Sequence, residues 1–473
     1  VLASPSAPMQ ARRVIRLDGE RIAAVEEAGG REPDPLLAIP ALTNAHDHAR
    51  PVRSSSFGAA RKPLETWLHW LTLIPSVDAY LAAAVSLARS ALGGAGTVMV
   101  HYTRVQGLTD LPAEATQVAK AARDVGVGVG FAVALRDRNP LVYGPSEPVL
   151  AALRPGARAE VTARLLRTPM PAADQIALVD AVAAAAGSPN FNIQYGPAAV
   201  QWCTPELLEG IAEASARSGR RVHMHLLETR YQRAWADREF PDGIVAYLDQ
   251  IGLLTPRLAL AHCTWARPDE LELIAARGAT IVVNTCSNLG LRSGIAPLAE
   301  MARRGCRIAL GLDGMALDGD DDLLRELRLA HLLHAGTGFD LNVRPADVLA
   351  MMIDNGRRCV LDAEHGGVLA AGEPADILLL DCQKLDDERL RADIDPMDLL
   401  FAHTTARHIH ELIVAGRTVV RDGEILGVDF ASLRDELLAQ IRSGIAASTA
   451  LVSALSELDH AVAAHFAQAA PCC

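Results

Sequence analysis

The sequence predicts an α/β protein, a (β/α)8 TIM-like barrel with a small β-sandwich formed by the N- and C-terminal segments. A short apolar run followed by an amphipathic helical stretch occurs eight times over roughly 300 residues, which suits one such barrel. Segments near both ends instead alternate apolar and polar residues around glycine turns. Because no glycine-rich phosphate loop follows the first run, an open doubly wound sheet is the weaker alternative.

The eight apolar runs are typical of parallel strands that are buried on both faces. The predicted strands cover residues 37–44, 97–101, 127–135, 191–195, 222–226, 258–262, 280–284 and 307–312. The helices predicted to follow them cover residues 77–92, 112–124, 173–186, 205–218, 243–251, 268–277, 295–304 and 322–335. We therefore expect residues 42–362 to form the barrel.

The two ends of the chain carry a different pattern. Residues 13–27, 367–381 and 410–420 have β-strand periodicity, so residues 1–41 and 363–428 are expected to form the sandwich. Residues 429–473 are rich in Ala and Leu and are predicted to be helical. This last segment is expected to pack on the sandwich or on a second subunit.

The composition argues against several classes of protein. The 473 residues carry a formal net charge of −12, which disfavours nucleic-acid binding because phosphate neutralisation needs basic patches. No apolar run of about 20 residues suits a bilayer, and the N-terminus shows no secretory signal pattern. The eight cysteines lack a CxxC spacing and fit reduced thiols. We expect a cytoplasmic protein that binds neither membrane nor nucleic acid.

Ionisable residues gather where the predicted strands end. Five of the fifteen histidines lie at or just past a strand end, and an aspartate ends the eighth strand; these residues are His46, His48, His101, His225, His262 and Asp313. The carboxyl ends of barrel strands meet at one mouth, which is where the active sites of this architecture lie. The pattern therefore predicts an active site at that mouth.

The spacing of these residues indicates a metal centre. His46 and His48 form an HxH pair, and alternate side chains of an extended segment face the same way, towards one ion. Taken alone, the pair is equally compatible with two surface histidines in a polar loop. His225 closes the fifth strand with Glu228 three residues later, which suits a ligand beside a proton-transferring carboxylate. His223 lies deeper, and we interpret it as an interior histidine rather than a ligand.

Two further polar residues follow apolar strands. His262 must find a partner or face the site, since an unpartnered polar group is costly to bury; a core histidine bonded to the backbone is the alternative. Asp313 would be costly at a buried strand end without a cation. The order of these residues along the chain, on the first, fifth, sixth and eighth strands, favours one shared site.

Six segments resemble the amidohydrolase superfamily, in its branch of cytosine deaminase-like and triazine hydrolase-like enzymes. They read PALTNAHDH, HMHLLE, LAHC, SNLGLRSGIAP, GLDG and GVLAAGEPADILLLD, and together they cover nearly the whole chain. By this resemblance one divalent transition metal ion, most often Zn²⁺ and otherwise Fe²⁺, is bound by four residues: His46, His48, His225 and Asp313. It also implies that Glu228 and His262 handle protons, and that Asp313 takes a proton from the attacking water.

Lysine content bears on the number of metal ions. Many members of the superfamily bridge two ions with a carbamylated lysine on the fourth strand. This chain has only Lys62, Lys120 and Lys384, and none falls on a predicted barrel strand. The resemblance therefore implies a single ion.

The implied reaction is hydrolytic deamination of an amino-substituted nitrogen heterocycle, of pyrimidine, pterin, purine-base or triazine type. Water adds to an sp2 carbon, His262 orients the nucleophile, Glu228 protonates the ring nitrogen, and ammonia leaves. One alternative is a hydrolase with the same site chemistry that expels an amine, an imino group or chloride from a heterocycle or amidine. Another is a barrel that has lost catalysis. We expect a small-molecule heterocyclic substrate and a homodimer or higher homo-oligomer.

Substrate contacts are expected from the rim of the barrel. The candidates are Arg136, Arg138, Gln194, Gln201, Trp202 and Asp318. The two arginines are alternatively paired with Asp137, and Glu65 in the segment RKPLETW either touches substrate or caps a helix. Adenosine-type relatives carry a histidine where Ala198 stands, and many relatives have His-Asn-Pro where this chain has Val283-Asn284-Thr285, which argues against purine nucleosides.

Overall fold

The computed structural model describes residues 1–30, 34–138, 141–166, 168–314, 319–363, 366–388, 390–391, 393–446 and 448–469. The strands are β1 (Arg13–Asp18), β2 (Arg21–Glu27), β3 (Leu36–Pro40), β4 (Leu42–Asp47), β5 (Ala95–Tyr102), β6 (Gly128–Leu135), β7 (Phe191–Pro197), β8 (Val222–Leu226), β9 (Leu258–His262), β10 (Thr280–Val283), β11 (Arg307–Leu310), β12 (Ile377–Asp381), β13 (Ile409–Val414), β14 (Arg417–Arg421) and β15 (Glu424–Ile425).

The α-helices are α1 (Leu64–Trp70), α2 (Ala79–Leu92), α3 (Leu111–Val125), α4 (Glu147–Ala151), α5 (Pro155–Leu165), α6 (Ala172–Ala186), α7 (Pro205–Ser218), α8 (Arg230–Glu239), α9 (Ile244–Gln250), α10 (Pro268–Arg277), α11 (Thr285–Gly290), α12 (Leu298–Arg303), α13 (Leu323–His334), α14 (Pro345–Ala350), α15 (Gly356–Leu361), α16 (Cys382–Leu385), α17 (Pro396–His403), α18 (Phe430–Ala446) and α19 (Thr449–Ala469). Short 3₁₀ turns cover Ser54–Phe57, Leu71–Leu73, Val200–Trp202 and Ala406–His408, and a π-helical turn covers Met351–Asn355.

Eight parallel strands, β4 to β11, pair in chain order to form the barrel sheet. The backbone N–H groups of Leu312 and Asp313, just past β11, donate to the carbonyl oxygen of His46 on β4 at 3.1 and 2.8 Å. These bonds join the last strand to the first and close the cylinder. The predicted (β/α)8 barrel is therefore confirmed.

Buried apolar side chains, mostly Ala and Val, fill part of the inside of the barrel. Ala45, Met99, Ala132, Ala259, Val282 and Ala309 form a buried cluster together with Cys359 and Val360 of α15. Because α15 supplies two of these side chains, it plugs the interior away from the carboxyl ends of the strands, and the polar residues at those ends remain available to the site.

A second β structure is formed by both ends of the chain. Five antiparallel strands pair in the order β15-β14-β13-β12-β3, and β1 and β2 form a hairpin. Ile22 of the hairpin packs with Ala38, Leu369, Ala375 and Ile377, and its N–H donates to the carbonyl oxygen of Glu373. The prediction that the two termini build one β unit is confirmed.

The predicted first strand, residues 37–44, is wrong as a single strand. Ile39 of β3 pairs with Leu378 in the terminal sheet, whereas Thr43 of β4 pairs with Thr97 in the barrel. The apolar stretch changes sheets at Ala41 without a change in composition, so the sequence pattern does not reveal the break. We propose the domain division on this basis, with residues 1–41 and 363–428 as one unit and 42–362 as the other.

The C-terminal helices pack against the barrel. α18 lies on α2, and α19 lies on α1, α4 and α5. Asp459 of α19 accepts hydrogen bonds from Lys62 Nζ at 2.6 Å and from Trp70 Nε1 at 3.0 Å. The expected position of this segment on the sandwich is therefore wrong for α19. Among the described residues no single helix is long and apolar enough to cross a membrane, and α18 and α19 meet the criteria only as a pair bent by 79°.

Gly311 allows the barrel to close around His46, and its substitution tests this packing. A Cβ at this position would lie 2.6 Å from both the His46 backbone nitrogen and Asn284 Oδ1. We expect Gly311→Ala to lower the free energy of unfolding by about 1–3 kcal/mol, since backbone has to move. The measurement is urea unfolding. Gly156→Ala in α5, where a Cβ meets nothing within 4 Å, is the control and should not destabilise. Equal stability of both variants would contradict the argument.

Candidate active site

Four predicted metal ligands meet at the carboxyl ends of the barrel strands. His46 lies at the end of β4 and His48 directly follows that strand, His225 comes from β8, and Asp313 comes from the turn after β11. Asp313 Oδ1 lies 3.3 Å from His46 Nε2 and 3.0 Å from His48 Nε2, and His225 Nε2 lies 3.2 Å from His48 Nε2. All four donor atoms lie within 4.8 Å of one another and all four residues are buried.

The backbone fixes which nitrogen of two imidazoles carries the proton. His48 Nδ1 lies 2.8 Å from the carbonyl oxygen of His101, and His225 Nδ1 lies 2.7 Å from that of Ala198. Because a carbonyl oxygen can only accept, both Nδ1 atoms donate. When the rings are neutral, Nε2 of each therefore presents a lone pair. Burial lowers the pKa of both rings well below the usual value, so they are neutral near pH 7.

These lone pairs and a carboxylate oxygen point at one another, which is unfavourable without a cation between them. His46 Nε2 and Asp313 Oδ1 also lack a hydrogen-bond partner among the described residues. His46 Nδ1 is held by His223 Nε2 at 2.7 Å, so His223 stands behind His46, as the sequence suggested. Histidines whose second nitrogen is bonded to the protein are typical of metal sites. The residues present therefore fit a bound cation.

Asp313 is held from several sides. Its Oδ2 accepts a hydrogen bond from Ser287 Oγ at 2.6 Å, and its carbonyl oxygen accepts one from Arg50 Nη1 at 2.9 Å. Its φ of +59° lies in the left-handed region that most side chains avoid, and His262 has a φ of +77°. Such backbone strain persists where surrounding contacts enforce it. Here it turns the carboxylate back towards β4.

Glu228 and His262 lie next to the four donors. His262 Nδ1 lies 2.8 Å from Asn288 Oδ1, and its Nε2 lies 3.7 Å from Glu228 Oε2 and 4.0 Å from Asp313 Oδ2. Burial, and then the charges of Asp313 and Glu65, raise the pKa of Glu228 well above its usual range. Burial lowers the pKa of His262 to about 4. Burial therefore favours the protonated form of Glu228, and His262 is neutral near pH 7.

A cavity of about 470 Å³ opens onto these groups. His48, His225, Glu228 and Asp313 line it, and four aromatic side chains also border it: Trp67, Tyr143, Trp202 and Phe466. Phe466 comes from α19, and its ring lies 5.5 Å from that of Tyr143. The C-terminal helix thus supplies part of the cavity wall.

The predicted rim residues divide into two groups. Arg136 and Trp202 line the cavity, but Arg138, Gln194 and Gln201 do not. Gln194 is fully buried inside the barrel, where its amide donates to the carbonyl oxygen of Val360 at 2.9 Å, so the expectation of a rim position is wrong for it. The Asp318 candidate lies outside the described residues.

Gln201 and Arg138 do not line the cavity. Gln201 is buried in a 3₁₀ turn, and the side chain of Arg138 is exposed. Asp137, the alternative partner of the arginines, accepts a hydrogen bond from the Thr204 backbone N–H at 2.7 Å. Asp137 therefore anchors the start of α7.

Two further residues line the cavity: Glu65, for which the sequence left helix capping as an alternative, and Arg50, which the sequence pattern did not indicate. Glu65 is buried in the first turn of α1, where its Oε1 accepts hydrogen bonds from Thr229 Oγ1 at 2.6 Å and Tyr143 Oη at 3.1 Å. Pro63 is the N-cap residue of α1, and the Glu65 carboxylate in the first turn also accepts a hydrogen bond from its own backbone N–H, so Glu65 contributes to the start of the helix as well as lining the cavity. Arg50 also lines the cavity. An arginine four residues after the first histidine resembles a surface residue in sequence, and no signal marked it.

Comparison with known proteins identifies the family. A model of the Amidohydrolase family matches residues 37–419. A 5'-deoxyadenosine deaminase of Methanosarcina barkeri is 32% identical over 51% of this chain and 55% of its own length. A 5-methylthioadenosine/S-adenosylhomocysteine deaminase of Moorella thermoacetica is 26% identical over 92% of this chain and 95% of its own.

Solved structures share the fold. Atrazine chlorohydrolase from Arthrobacter aurescens TC1, solved with zinc, has a TM-score of 0.70 at 22% identity and covers 91% of this chain and 94% of its own. This likeness agrees with the barrel and terminal β unit described above, and the motif resemblance is confirmed by the family match. The chain belongs to the amidohydrolase family.

Proposed function

We propose that the protein is a metal-dependent aminohydrolase that releases ammonia from an amino-substituted nitrogen heterocycle. The observation that carries this proposal is the convergence of imidazole lone pairs and a carboxylate oxygen beside a buried glutamate, at the floor of an aromatic-walled cavity. The curated relatives named above are deaminases of adenosine derivatives, which supports loss of an amino group.

The metal site would be formed by His46, His48, His225 and Asp313. Three nitrogens and one carboxylate oxygen suit Zn²⁺, and the zinc complex of atrazine chlorohydrolase supports that choice over Fe²⁺. When bound, such an ion lowers the pKa of water and supplies a nucleophile near pH 7. The three lysines lie before α1, on α3 and on α16, so no barrel strand offers one for a bridging carbamate, which supports one ion.

The protein's own groups move the protons. Asp313 Oδ2 accepts a proton from the attacking water, while the neutral His262 orients that water through Nε2. Glu228 donates its proton to the ring nitrogen, so that negative charge does not build up as water adds to the adjacent carbon. The proton on Asp313 then passes to the amino group, which leaves as ammonia, while Glu228 takes back a proton from the new hydroxyl group as it becomes the carbonyl. The ring carbon gains the oxygen of water as it loses nitrogen.

The cavity favours a flat ring. Trp67, Tyr143, Trp202 and Phe466 offer aromatic faces and edges to a planar substrate. We propose a free ring of pyrimidine, pterin, purine-base or triazine type over a nucleoside, because Ala198 contributes no imidazole to the cavity. Release of an amine, an imino group or chloride from such a ring is the alternative reaction. The cytoplasmic location and the homo-oligomeric state stay predictions.

Metal content provides the first test. We expect about one Zn²⁺ per chain in the purified protein and loss of that ion in the Asp313→Ala and His48→Ala variants, measured by elemental analysis. His223→Leu should weaken zinc binding by about 10–100-fold, because His46 Nδ1 loses its partner. Stoichiometric zinc in Asp313→Ala would contradict the ligand assignment.

Glu228→Gln tests the proton donor. A glutamine cannot give a proton to the ring, so we expect kcat for ammonia release to fall by about 10²–10⁴-fold while zinc content stays unchanged. Glu114→Gln is the matched control, since Glu114 is equally buried but lies on α3 and does not line the cavity. Its kcat should stay within a few-fold of wild type. Normal turnover by Glu228→Gln would refute the role.

Phe466→Ala tests the contribution of α19 to the cavity. Loss of one aromatic wall should raise KM by about 3–10-fold with little change in kcat, since the reacting groups stay in place. Val452→Ala, an exposed position on the same helix, controls for general effects on α19. An unchanged KM in Phe466→Ala would show that the substrate does not reach this wall.

A further inference from the structure

A buried arginine borders the metal-binding group and takes no part in the steps above. Arg50 is 8% exposed and lines the cavity together with Glu228 and Asp313. Its guanidinium lies 4.7 Å above the ring of Trp67, which restricts the plane of the group. The side chain is therefore held in one orientation at the cavity floor.

The hydrogen bonds of Arg50 leave most of its donors unused. Nη1 donates to the carbonyl oxygen of Asp313 at 2.9 Å, and the described residues offer the guanidinium no other acceptor within hydrogen-bond distance. A guanidinium carries five N–H groups in a fixed plane, and no Arg50 nitrogen is among the fully buried atoms without a partner in the described residues, so the guanidinium is accessible from the cavity it lines. One N–H group of Arg50 binds the carbonyl oxygen of Asp313, so its other N–H groups can bind an acceptor atom of a molecule that enters the cavity.

The surrounding charges favour an oxygen acceptor from the substrate. Asp313 Oδ1 lies 3.7 Å from Arg50 Nη1 but is directed at His46 and His48. Asp47 is already satisfied, because it accepts hydrogen bonds from the Asn44 side chain and from the backbone N–H groups of His48 and Ala49. Glu228 Oε1 pairs with Ser293 Oγ at 3.3 Å, and among the described residues neither Glu228 nor Asp47 forms a hydrogen bond or ion pair with Arg50, so no carboxylate occupies its remaining donors.

We propose that Arg50 is a substrate-binding residue that recognises a carbonyl oxygen on the heterocycle. The inference rests on the proposed function and narrows it: the substrate is an oxo-substituted amino heterocycle, in which the ring carries both the amino group that is lost and a carbonyl group. A planar guanidinium with adjacent N–H groups suits such an oxygen and binds it more strongly than a neutral donor does.

Matched substrate pairs separate recognition from a purely structural role. Cytosine and 4-aminopyrimidine carry the same amino group and differ in one carbonyl oxygen, as do guanine and 2-aminopurine. If Arg50 only anchors Asp313, its loss slows both members of a pair alike. If Arg50 binds the oxygen, its loss selectively slows the oxo member.

The experiment measures kcat/KM for ammonia release from these four rings with the zinc-loaded wild type and Arg50→Gln. We expect the wild type to prefer the oxo member of at least one pair, and Arg50→Gln to lower kcat/KM for that member by about 10–100-fold more than for its partner. Arg221→Gln is the control, since Arg221 is also buried but bonds to Asp362 at 2.8 Å, away from the cavity. It should leave the ratio unchanged.

A binding measurement distinguishes failure of the proposed deaminase reaction from failure of the proposed role of Arg50. Calorimetric titration of the zinc-loaded protein with uracil and with pyrimidin-4-one, which differ in the same oxygen, reports the role of Arg50 without turnover. Tighter binding of uracil that disappears in Arg50→Gln supports the inference even if no ring is deaminated, in which case the proposed reaction alone fails. Equal effects of Arg50→Gln on both members, in rate and in binding, overturn the inference and leave the deaminase proposal intact.

Discussion

Closure of the barrel is the constraint on which the site depends. The N–H groups of Leu312 and Asp313 bond to the carbonyl oxygen of His46, and Leu312 N–H lies 2.9 Å from Asn44 Oδ1 as well. These contacts bring an aspartate from the end of the eighth strand to a histidine of the first, across more than half of the chain. Had the cylinder stayed open at this seam, the carboxylate and the imidazoles would lie on opposite edges of a sheet.

That geometry has an energetic cost that the fold must offset. Several neutral imidazoles and a carboxylate are buried together, and the left-handed backbone of His262 and Asp313 adds strain. Hydrogen bonds to backbone carbonyls offset part of the cost, and a bound cation would offset the rest. A site arranged in this way is pre-formed, so binding energy need not be spent on arranging ligands.

Sequence alone can predict those site residues whose position at the end of a barrel strand determines where the side chain lies. Strand ends in a parallel barrel share one mouth, so His46, His48, His225 and Asp313 could be grouped without a structure. Gln194 was misplaced because β7 continues to Pro197, which leaves its side chain inside the barrel rather than at the rim. The contacts of α19 depend on packing between segments that are far apart in the chain. The periodicity of the sequence does not indicate which segments these are.

The metal-binding residues and the residues that line the cavity are held in place by different parts of the structure. The donor atoms are on or beside strands, whereas Glu228 begins a turn that is tied to Glu65 through Thr229 and to Tyr143 through Gln232. Tyr143 in turn contacts Phe466 of α19. Replacement of the C-terminal helix would therefore alter the cavity wall and reach the turn of Glu228 through these hydrogen bonds, while the strand-borne imidazoles stayed in place. The cavity wall and the metal-binding group are therefore supported by separate parts of the fold.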